Sequence, residues 1–405
     1  MRVGIVCDLQ EERWPSMDLV ASMLADHLRP PLSAGVEGVL LRPSMVRRLT
    51  RIPVLGGLKR SDLNDRIVNR FWDYRRWLVR FRNQFDVFHV VDHSYAHLVH
   101  VLPVSRTVVT CHDTDAFLSL VEPGVAESRL PRWLTRQVLT GMQAAAHIAC
   151  DTHATADDLH RRRLAQPDRT SVVYNGVHPA CSPAADEAAD RFVAEAVFQA
   201  SGNSNEMTTD LVHVGSTIPR KRIDILLRVV AAVREQRPSI RLLKAGGTFT
   251  REQRALIREL GLDGHVVTLP FLPPPALAAL YRRATVVLLP SAREGFGLPI
   301  VEAMACGTPV IATDMPVTRE VGGPAARYAG LNDIRQWRDS VLEVLLERQD
   351  PELSAARRHL CLEHSAHFRW QRHAQSMVDI YRDVCAVADR EPIPRRSDSE
   401  PALAS

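Results

Sequence analysis

The stretch from Thr285 to Ala312 constrains the fold of this chain more than any other. It begins with a short apolar run, rich in β-branched residues, that ends at Leu289 and is typical of a buried parallel strand. The helix that follows has Pro299 in its first turn, where proline is tolerated, and Gly307 just past its end. The apolar run resumes at Val310. This β-α-β pattern predicts a parallel sheet covered by helices.

The loop from Ser291 to Gly297 follows the carboxyl end of the first strand, which is where open α/β sheets bind ligands. Two glycines, Gly295 and Gly297, flank Phe296 and allow the backbone to approach a ligand closely. The helix beginning near Leu298 directs its free N–H groups and its positive end to the same place. The loop therefore predicts a site for an anionic group such as phosphate.

Two carboxylates accompany this loop. Glu294 lies within it, and Glu302 lies about one turn into the helix, with seven residues between them. Carboxylates are poor phosphate ligands and are better suited to accepting hydrogen bonds from sugar hydroxyls. A pair of carboxylates can also act as acid and base in glycoside hydrolysis, so both interpretations stay open at this point.

The run from Leu289 to Val321 closely resembles the signature of retaining glycosyltransferases of family 4. The resemblance implies an α/β chain of the GT-B fold, in which two Rossmann-like β-α-β domains have parallel sheets that face a central cleft. In that family the first glutamate and the Gly-Phe-Gly backbone hold the donor sugar, the second glutamate holds the ribose, and the helix start holds the diphosphate. The implied donor-binding residues are Glu294, Gly295, Phe296, Gly297, Leu298 and Glu302.

Composition agrees with a large, two-domain chain that does not bind nucleic acid. The 405 residues are 45% hydrophobic and 24% charged, and a net charge of +4 is too small to argue for nucleic acid. The seven cysteines are scattered, without a Cys-x-x-Cys pair, so neither a disulfide framework nor a zinc site is expected.

The amino-terminal stretch excludes one class of cofactor site. Met1 to Asp8 reads as a strand without a signal-peptide pattern, and no apolar run is long enough to span a bilayer, so a cytoplasmic location is expected. The following loop, Asp8 to Pro15, has no glycine, which argues against a dinucleotide site at the amino terminus. It also departs from the often Gly-rich first loop of the family. No cofactor is expected, with the nucleotide-diphosphate sugar as co-substrate.

The basic segment, defined as residues 42–82, carries twelve arginines and lysines against three aspartates. Phe71, Tyr74, Leu78 and Phe81 recur within it at helical spacing. One interpretation is a surface helix that docks on the sheet through this stripe. The other is a patch that attracts anionic lipid headgroups or a lipid-linked acceptor at the inner face of the membrane. Both can hold together.

A histidine follows the strand predicted over 106–110. His112 is just past the carboxyl end of that strand, where it can meet a ligand. The resemblance implies that it approaches the donor sugar and the acceptor hydroxyl. The adjacent Asp113-Thr114-Asp115 also matches the Asp-x-Asp motif of a different, metal-dependent glycosyltransferase fold. The two-domain pattern disfavours that fold, so no metal is expected.

A second loop supplies cations. Residues 215–222 follow a predicted strand and contain Arg220, Lys221 and Arg222 in succession, a plausible phosphate clamp. The resemblance implies that Gly215, Ser216 and Lys221 belong to the donor site. Ser216 occupies the position of the family's arginine, so Arg220 or Arg222 is expected to carry the missing charge, with Arg220 favoured.

The remaining expectations concern the division of the chain into domains, the segment that contacts the nucleotide base, and the tail. The resemblance places a first domain at 1–180, a linker at 181–210, a donor domain at 211–367, and a helix near 368–388 that returns to the first domain. Phe271 lies in the segment that contacts the nucleotide base in the family. Residues 390–405 are expected to be a disordered tail.

The expected activity is transfer of a hexose, of mannose or glucose type, from a nucleotide-diphosphate sugar with retention of configuration. His112, Lys221 and Glu294 are the expected catalytic residues, and the donor is expected to carry UDP or GDP. The acceptor is a hydroxyl of a glycan, a lipid-linked molecule or a small molecule, as in bacterial polysaccharide biosynthesis. Alternatives are an epimerase or a phosphorylase of the same fold, or a non-catalytic subunit of glycan assembly.

Overall fold

The computed structural model describes residues 1–29, 35–52, 59–122, 129–202 and 209–390, and for residues 59–60 it describes the backbone alone. Within these ranges the chain forms two six-stranded sheets, and every strand pairing in them is parallel. The expected architecture of two parallel α/β sheets is confirmed. The tail expected over 390–405 lies outside the described residues, apart from Arg390.

The first sheet is built from the amino-terminal half and has the strand order β2-β1-β3-β4-β5-β6. Its strands are β1 Arg2–Val6, β2 Glu37–Leu41, β3 Val87–Val90, β4 Thr107–Cys111, β5 His147–Cys150 and β6 Thr170–Val172. The accompanying α-helices are α1 Pro15–His27, α2 Lys59–Val68, α3 Tyr74–Leu78, α4 Leu118–Val121, α5 Arg129–Ala144 and α6 His153–Arg161. Short 3-10 helices occur at Gln10–Glu12, Leu49–Arg51, Val79–Phe81, His93–Val101, Val104–Arg106, Asp115–Phe117 and Pro167–Arg169, and a π-helix at Asn69–Asp73.

The second sheet has the order β12-β11-β10-β7-β8-β9. Its strands are β7 Thr209–Val214, β8 Ile240–Ala245, β9 Val266–Leu269, β10 Val286–Leu289, β11 Val310–Thr313 and β12 Arg327–Ala329. Helix α7 Glu187–Ala200 precedes it, and the others are α8 Ile223–Arg234, α9 Arg251–Glu259, α10 Pro274–Arg283, α11 Leu298–Ala305, α12 Pro316–Gly322, α13 Ile334–Glu347, α14 Pro351–Ser365 and α15 Trp370–Arg390. Two 3-10 helices, Pro219–Lys221 and Gly323–Ala325, complete the list.

Both sheets are covered by helices on both faces, which explains their apolar strands. All four residues of β10 are buried, and so are all four of β3. Each face of each sheet contributes to a separate hydrophobic cluster. A strand buried on both faces needs consecutive rather than alternating apolar residues, and burying each side chain contributes about 1.5–3 kcal/mol.

The last helix returns to the first sheet. Met377 and Tyr381 of α15 are fully buried in the cluster that contains Val3 and Ile5 of β1. The hydroxyl of Tyr381 lies 2.7 Å from Nδ1 of His89, a residue of β3. The carboxyl-terminal helix therefore packs against the sheet formed by the amino-terminal half.

The aromatic stripe of the basic segment packs inward. Tyr74 and Leu78 are fully buried, and Phe71 and Phe81 pack against the same cluster. The Tyr74 hydroxyl donates to the backbone carbonyl of Cys7 at 2.8 Å, which fixes the helix near the carboxyl end of β1. The structural interpretation of this stripe is thereby confirmed. Lys59 and Arg60 of the basic segment lie outside the described side chains.

We expect Gly141→Ala to destabilise the chain, although alanine is normally the better helix former. A Cβ at Gly141 in α5 would lie 2.0 Å from the carbonyl oxygen of Ala96, and backbone cannot yield as a flexible side chain does. Overpacking of this kind costs about 1–3 kcal/mol, which exceeds the 0.5–1 kcal/mol gained from helix propensity. Urea denaturation measures the difference, and a variant as stable as the wild type would contradict this packing.

Candidate active site

Each sheet reverses its strand order at one point, and these two points define the site. In the first sheet, β1 pairs with β2 on one side and β3 on the other. In the second sheet, β7 pairs with β8 on one side and β10 on the other. The carboxyl ends of strands at such a reversal leave a crevice in which α/β proteins bind ligands. The two loops singled out in the sequence, 215–222 and 291–297, follow β7 and β10.

The loop after β10 contacts the first sheet directly. A Cβ on Gly295 would lie 2.1 Å from the carbonyl oxygen of His112, so only glycine fits there. The carbonyl of Gly295 accepts hydrogen bonds from the hydroxyls of Thr152 (3.3 Å) and Thr155 (3.4 Å). The carboxyl edges of the two sheets therefore face each other across a closed cleft.

A carboxylate beside the cleft joins the same two edges. Glu320 of α12 accepts from the backbone N–H groups of His153 (2.6 Å) and Ala154 (2.9 Å), the first residues of α6. Its Oε1 also accepts from the Tyr174 hydroxyl at 2.8 Å. An acidic side chain at a helix amino terminus satisfies free N–H groups and complements the helix dipole.

Three of the expected site residues come together at the second sheet. Lys221 Nζ lies 2.5 Å from Glu294 Oε1, and Arg220 Nη1 lies 3.6 Å from Glu294 Oε2. Burial opposes ionisation of Glu294, but the cations Lys221 and Arg220 outweigh it and lower the pKa of this carboxyl. A carboxylate and two cations therefore converge beside the start of α11.

Arg222 is directed away from this cluster. It adopts a left-handed backbone conformation with φ 47° and pairs with Asp224 through two contacts of 2.9 and 2.8 Å. Arg220 is therefore the arginine that the structure brings to Glu294, as the sequence favoured. Ser216 is exposed on the same loop, and the N–H of Gly215 donates to the carbonyl of Ala245 at 3.0 Å.

The start of α11 has the geometry expected of an anion site. Gly297 has φ 88°, a left-handed conformation that glycine adopts readily, and Leu298 is the first residue of the helix. The ring of Phe296 is buried, 5.7 Å from the ring of Phe368 and 6.5 Å from that of Tyr174. With its ring packed in this way, Phe296 would meet a ligand at the helix start through its backbone.

Glu302 lies deeper in α11 than the Lys221 cluster. Its side chain is buried, and Oε2 accepts from the hydroxyl of Tyr281 at 2.9 Å. Burial raises the pKa of Glu302 to about 7, and the bond from Tyr281 opposes this rise. Its charge therefore depends on pH near neutrality.

The imidazole of His112 is held inside the first sheet. Nδ1 lies 2.6 Å from Asp151 Oδ2, and Nε2 lies 2.7 Å from the carbonyl oxygen of Val91. Burial alone would lower the pKa of His112, but Asp151 and Asp92 outweigh it and raise the pKa to about 10. In this conformation the ring is an imidazolium that donates to both partners, and the backbone carbonyl is the part of His112 nearest to Gly295.

Sequence reasoning missed the carboxylates of the first sheet. Asp8 and Asp92 follow β1 and β3 at the strand reversal, and Asp151 follows β5. Burial and the neighbouring Asp92 raise the pKa of Asp8 well above its usual range. Burial opposes the ionisation of Asp92 as well, but His93 and His112 lower its pKa to about 2. The signal available was a polar residue just past a buried parallel strand.

Two other expectations concern the edge of the site. Phe271 lies beyond β9 and is 68% exposed. Asp115 of the Asp-x-Asp match lies 3.4 Å from Arg293. No group of three or more His, Cys, Asp or Glu residues suited to a metal ion occurs in the part of the chain that the structure describes. Among these residues, no helix is long and apolar enough to cross a bilayer.

The fold is that of the GT-B glycosyltransferases. Sucrose-phosphate synthase from Thermosynechococcus elongatus aligns with a TM-score of 0.71 at 18% identity, covering 96% of this chain and 100% of that one. The Anabaena protein HepE, in a structure with UDP and glucose, aligns with a TM-score of 0.68 at 15% identity, covering 94% and 99%.

Two family models match the sequence. Residues 24–180 match glycosyltransferase family 4, and residues 195–355 match glycosyl transferases group 1. Together they cover eleven of the twelve strands of the two sheets, all but β1. The chain therefore belongs to the family 4, group 1 glycosyltransferases.

Several curated relatives share one name. The D-inositol 3-phosphate glycosyltransferase of Saccharomonospora viridis is 35% identical over 269 residues, which are 60% of this chain and 57% of that protein. The protein of the same name from Mycolicibacterium smegmatis is 34% identical over 269 residues, 62% of this chain and 57% of its own length. The matches thus span less than two thirds of these relatives.

The pKa of Glu302 leads to a prediction for stability. Because that pKa rises from 4.5 to about 7 on folding, the folded chain keeps a proton that the unfolded chain releases between these pH values. The free energy of unfolding therefore falls as pH rises through this window, by about 1.4 kcal/mol for each pKa unit. Glu302→Gln cannot ionise and should lose less stability between pH 5 and 7.5 than the wild type. Urea melts at each pH test this, and parallel losses in both proteins would contradict it.

Proposed function

We propose that this protein is a retaining glycosyltransferase that transfers a hexose from a nucleotide-diphosphate sugar to an acceptor hydroxyl. The observation that carries the proposal is the convergence of Lys221, Arg220 and Glu294 beside the start of α11, opposite His112 on the other sheet. Cations and free helix N–H groups suit a diphosphate, and a carboxylate among them suits sugar hydroxyls.

In this proposal, each half of the chain binds a different substrate. The donor domain is 211–367, and the acceptor domain is 1–180 together with the returning helix near 368–388, joined by the linker 181–210. Support for this division comes from the separate sheets and from the packing of α15 on β1 and β3. Glu302, one turn into α11, is proposed to accept hydrogen bonds from the ribose, and exposed Phe271 to contact the base.

Most of the catalytic stabilisation is proposed to act on the leaving diphosphate. Lys221 and Arg220 are preorganised for that charge, and removing one such donor costs on the order of 3 kcal/mol, while a helix dipole contributes ~0.3–1 kcal/mol. In this proposal the departing phosphate accepts the acceptor's proton on the same face of the sugar, which retains the anomeric configuration. Protein cations would supply the charge, so no metal is required.

We propose that the donor is a sugar linked to UDP. Support comes from structures of Anabaena HepE in complex with UDP, with UDP and glucose, and with UDP-glucose. These neighbours are at most 16% identical to this chain, so they favour a nucleotide of this type without fixing the sugar.

We propose that the acceptor, the second substrate, is an amphiphilic molecule at the inner face of the membrane. Trp72 is 61% exposed and Val79 48% exposed on the outer face of the basic segment. Arg76 stacks over Trp72 at 5.6 Å, and Arg80 lies one turn further. Exposed tryptophan beside arginine favours contact with anionic headgroups, at about 1 kcal/mol for each basic residue.

A donor panel tests the activity. Purified protein is incubated with UDP-, GDP- and ADP-hexoses, and slow donor hydrolysis and thermal stabilisation are measured with and without EDTA. We expect stabilisation by UDP-hexose, hydrolysis unaffected by EDTA, and a first-formed sugar with the anomeric configuration of the donor. Inversion, or loss of turnover with EDTA, would contradict the mechanism. Epimerised donor, or sugar phosphate formed with inorganic phosphate, would establish the alternative enzymes.

Lys221→Ala should lower turnover about a hundredfold or more, because it removes a preorganised donor to the leaving diphosphate. Arg222→Ala is the matched control from the same loop. Its guanidinium pairs with Asp224 rather than with the cluster, and we expect a change below about threefold, as for an exposed ion pair. Steady-state hydrolysis of the preferred donor measures both. A loss under threefold in Lys221→Ala would remove this residue from the site.

A further inference from the structure

A lysine is buried beneath the candidate donor site. Lys244, the penultimate residue of β8, has 0% exposure. Its ammonium donates to the backbone carbonyls of Gly246 and Gly247, the latter at 2.6 Å. Across the described residues, it forms no salt bridge with a carboxylate. A buried charge without a counter-charge destabilises a fold. A functional role for Lys244 would explain why a charged residue is present in a buried strand.

The turn that Lys244 holds is pressed against the cation-bearing loop after β7. A Cβ on Gly246 would lie 3.0 Å from the carbonyl oxygen of Gly215. A Cβ on Gly247 would lie 3.6 Å from the Cα of Ser216 and 3.7 Å from Lys244 Nζ. The ammonium is therefore directly behind the exposed loop at Ser216, with one glycine turn between them.

The charges on the open side of this loop are incomplete for a diphosphate. Lys221 and Arg220 both face the single carboxylate of Glu294, so these three groups together carry one net positive charge. A nucleoside diphosphate carries at least two negative charges near neutral pH. The cluster alone leaves part of that charge unbalanced.

The neighbouring histidine does not supply the remaining charge. His213 is fully buried, its Nδ1 lies 2.9 Å from the carbonyl oxygen of Leu288, and burial lowers its pKa to about 4. It is therefore neutral at physiological pH, with Nδ1–H donating to Leu288. Lys244 is the further cation at this edge, and electrostatic interactions are strong where water is excluded.

We propose that Lys244 is a positioning residue for the donor diphosphate. Its ammonium balances part of the diphosphate charge from behind the loop, and its bonds to Gly246 and Gly247 keep that turn against Ser216. The inference rests on the proposed function, because it takes the bound anion to be the diphosphate of a nucleotide.

Lys244→Met tests this assignment, since it keeps the unbranched stem and removes the charge. Calorimetry with UDP and with uridine separates the diphosphate from the nucleoside. We expect UDP to bind about tenfold more weakly and uridine to change less than about threefold, in line with the loss of one charge interaction. The melting temperature is measured alongside to report separately on folding, because the variant loses both the cost of the buried charge and two hydrogen bonds to the glycine turn.

The pH dependence of the wild type gives a second, independent readout. Burial lowers the pKa of Lys244 to about 8, so UDP affinity should fall between pH 7 and 9 as the ammonium loses its proton. The other charged or titratable groups around the neighbouring loop at Gly215, namely Lys221, Glu294 and His213, are still present in Lys244→Met. The variant should therefore lose the part of the pH dependence that belongs to Lys244.

Arg222→Met is the matched control, because it removes a cation from the same loop that is already paired with Asp224. It should leave UDP affinity unchanged. Equal losses of UDP and uridine affinity would overturn the inference in favour of a purely structural lysine. Unchanged UDP affinity in Lys244→Met would also overturn it. A wild-type protein that binds no nucleoside diphosphate would instead overturn the proposed function itself.

Discussion

The parallel direction of the strands is the constraint on which this structure depends. A parallel pair requires a crossover over the face of the sheet, so all connections that leave the carboxyl ends lie on one edge. In each sheet that edge carries the polar residues, and the two edges meet where Gly295 contacts the carbonyl of His112. Residues more than a hundred positions apart thus form one site. The site is a property of two sheets facing each other, and neither half contains it alone.

Charge burial is the common cost of this arrangement. His112 with Asp151, Lys221 with Glu294, and Lys244 with two backbone carbonyls all lie where apolar side chains would be more stable. The hydrophobic clusters on both faces of each sheet offset that cost. A large, double-faced core allows a protein to hold charged groups in fixed positions away from water. Fixed groups need little reorganisation when charge develops on a substrate.

Much of the fold follows from the sequence because central strands carry a strong signal. The strand predicted to end at Leu289 does so, and it begins one residue later than predicted. The edge strands β2 and β12 were missed, since they are short and only partly buried and thus lack a continuous apolar run. The sequence motifs pointed to the two loops that carry Glu294 and Lys221. They could not predict the orientation of the His112 ring, because it depends on Asp151, which lies 39 residues away in sequence.

The return of α15 to the first sheet has a mechanical consequence. The chain passes between the two sheets twice, once before β7 and once between α14 and α15. At the second passage, the N–H of Val177 donates to the carbonyl of Phe368 at 3.0 Å, so the two connections lie side by side. Any rotation of one sheet relative to the other has to occur about these two adjacent connections. Because two segments bonded side by side restrain sliding more than rotation, they favour keeping the facing edges of the two sheets in register.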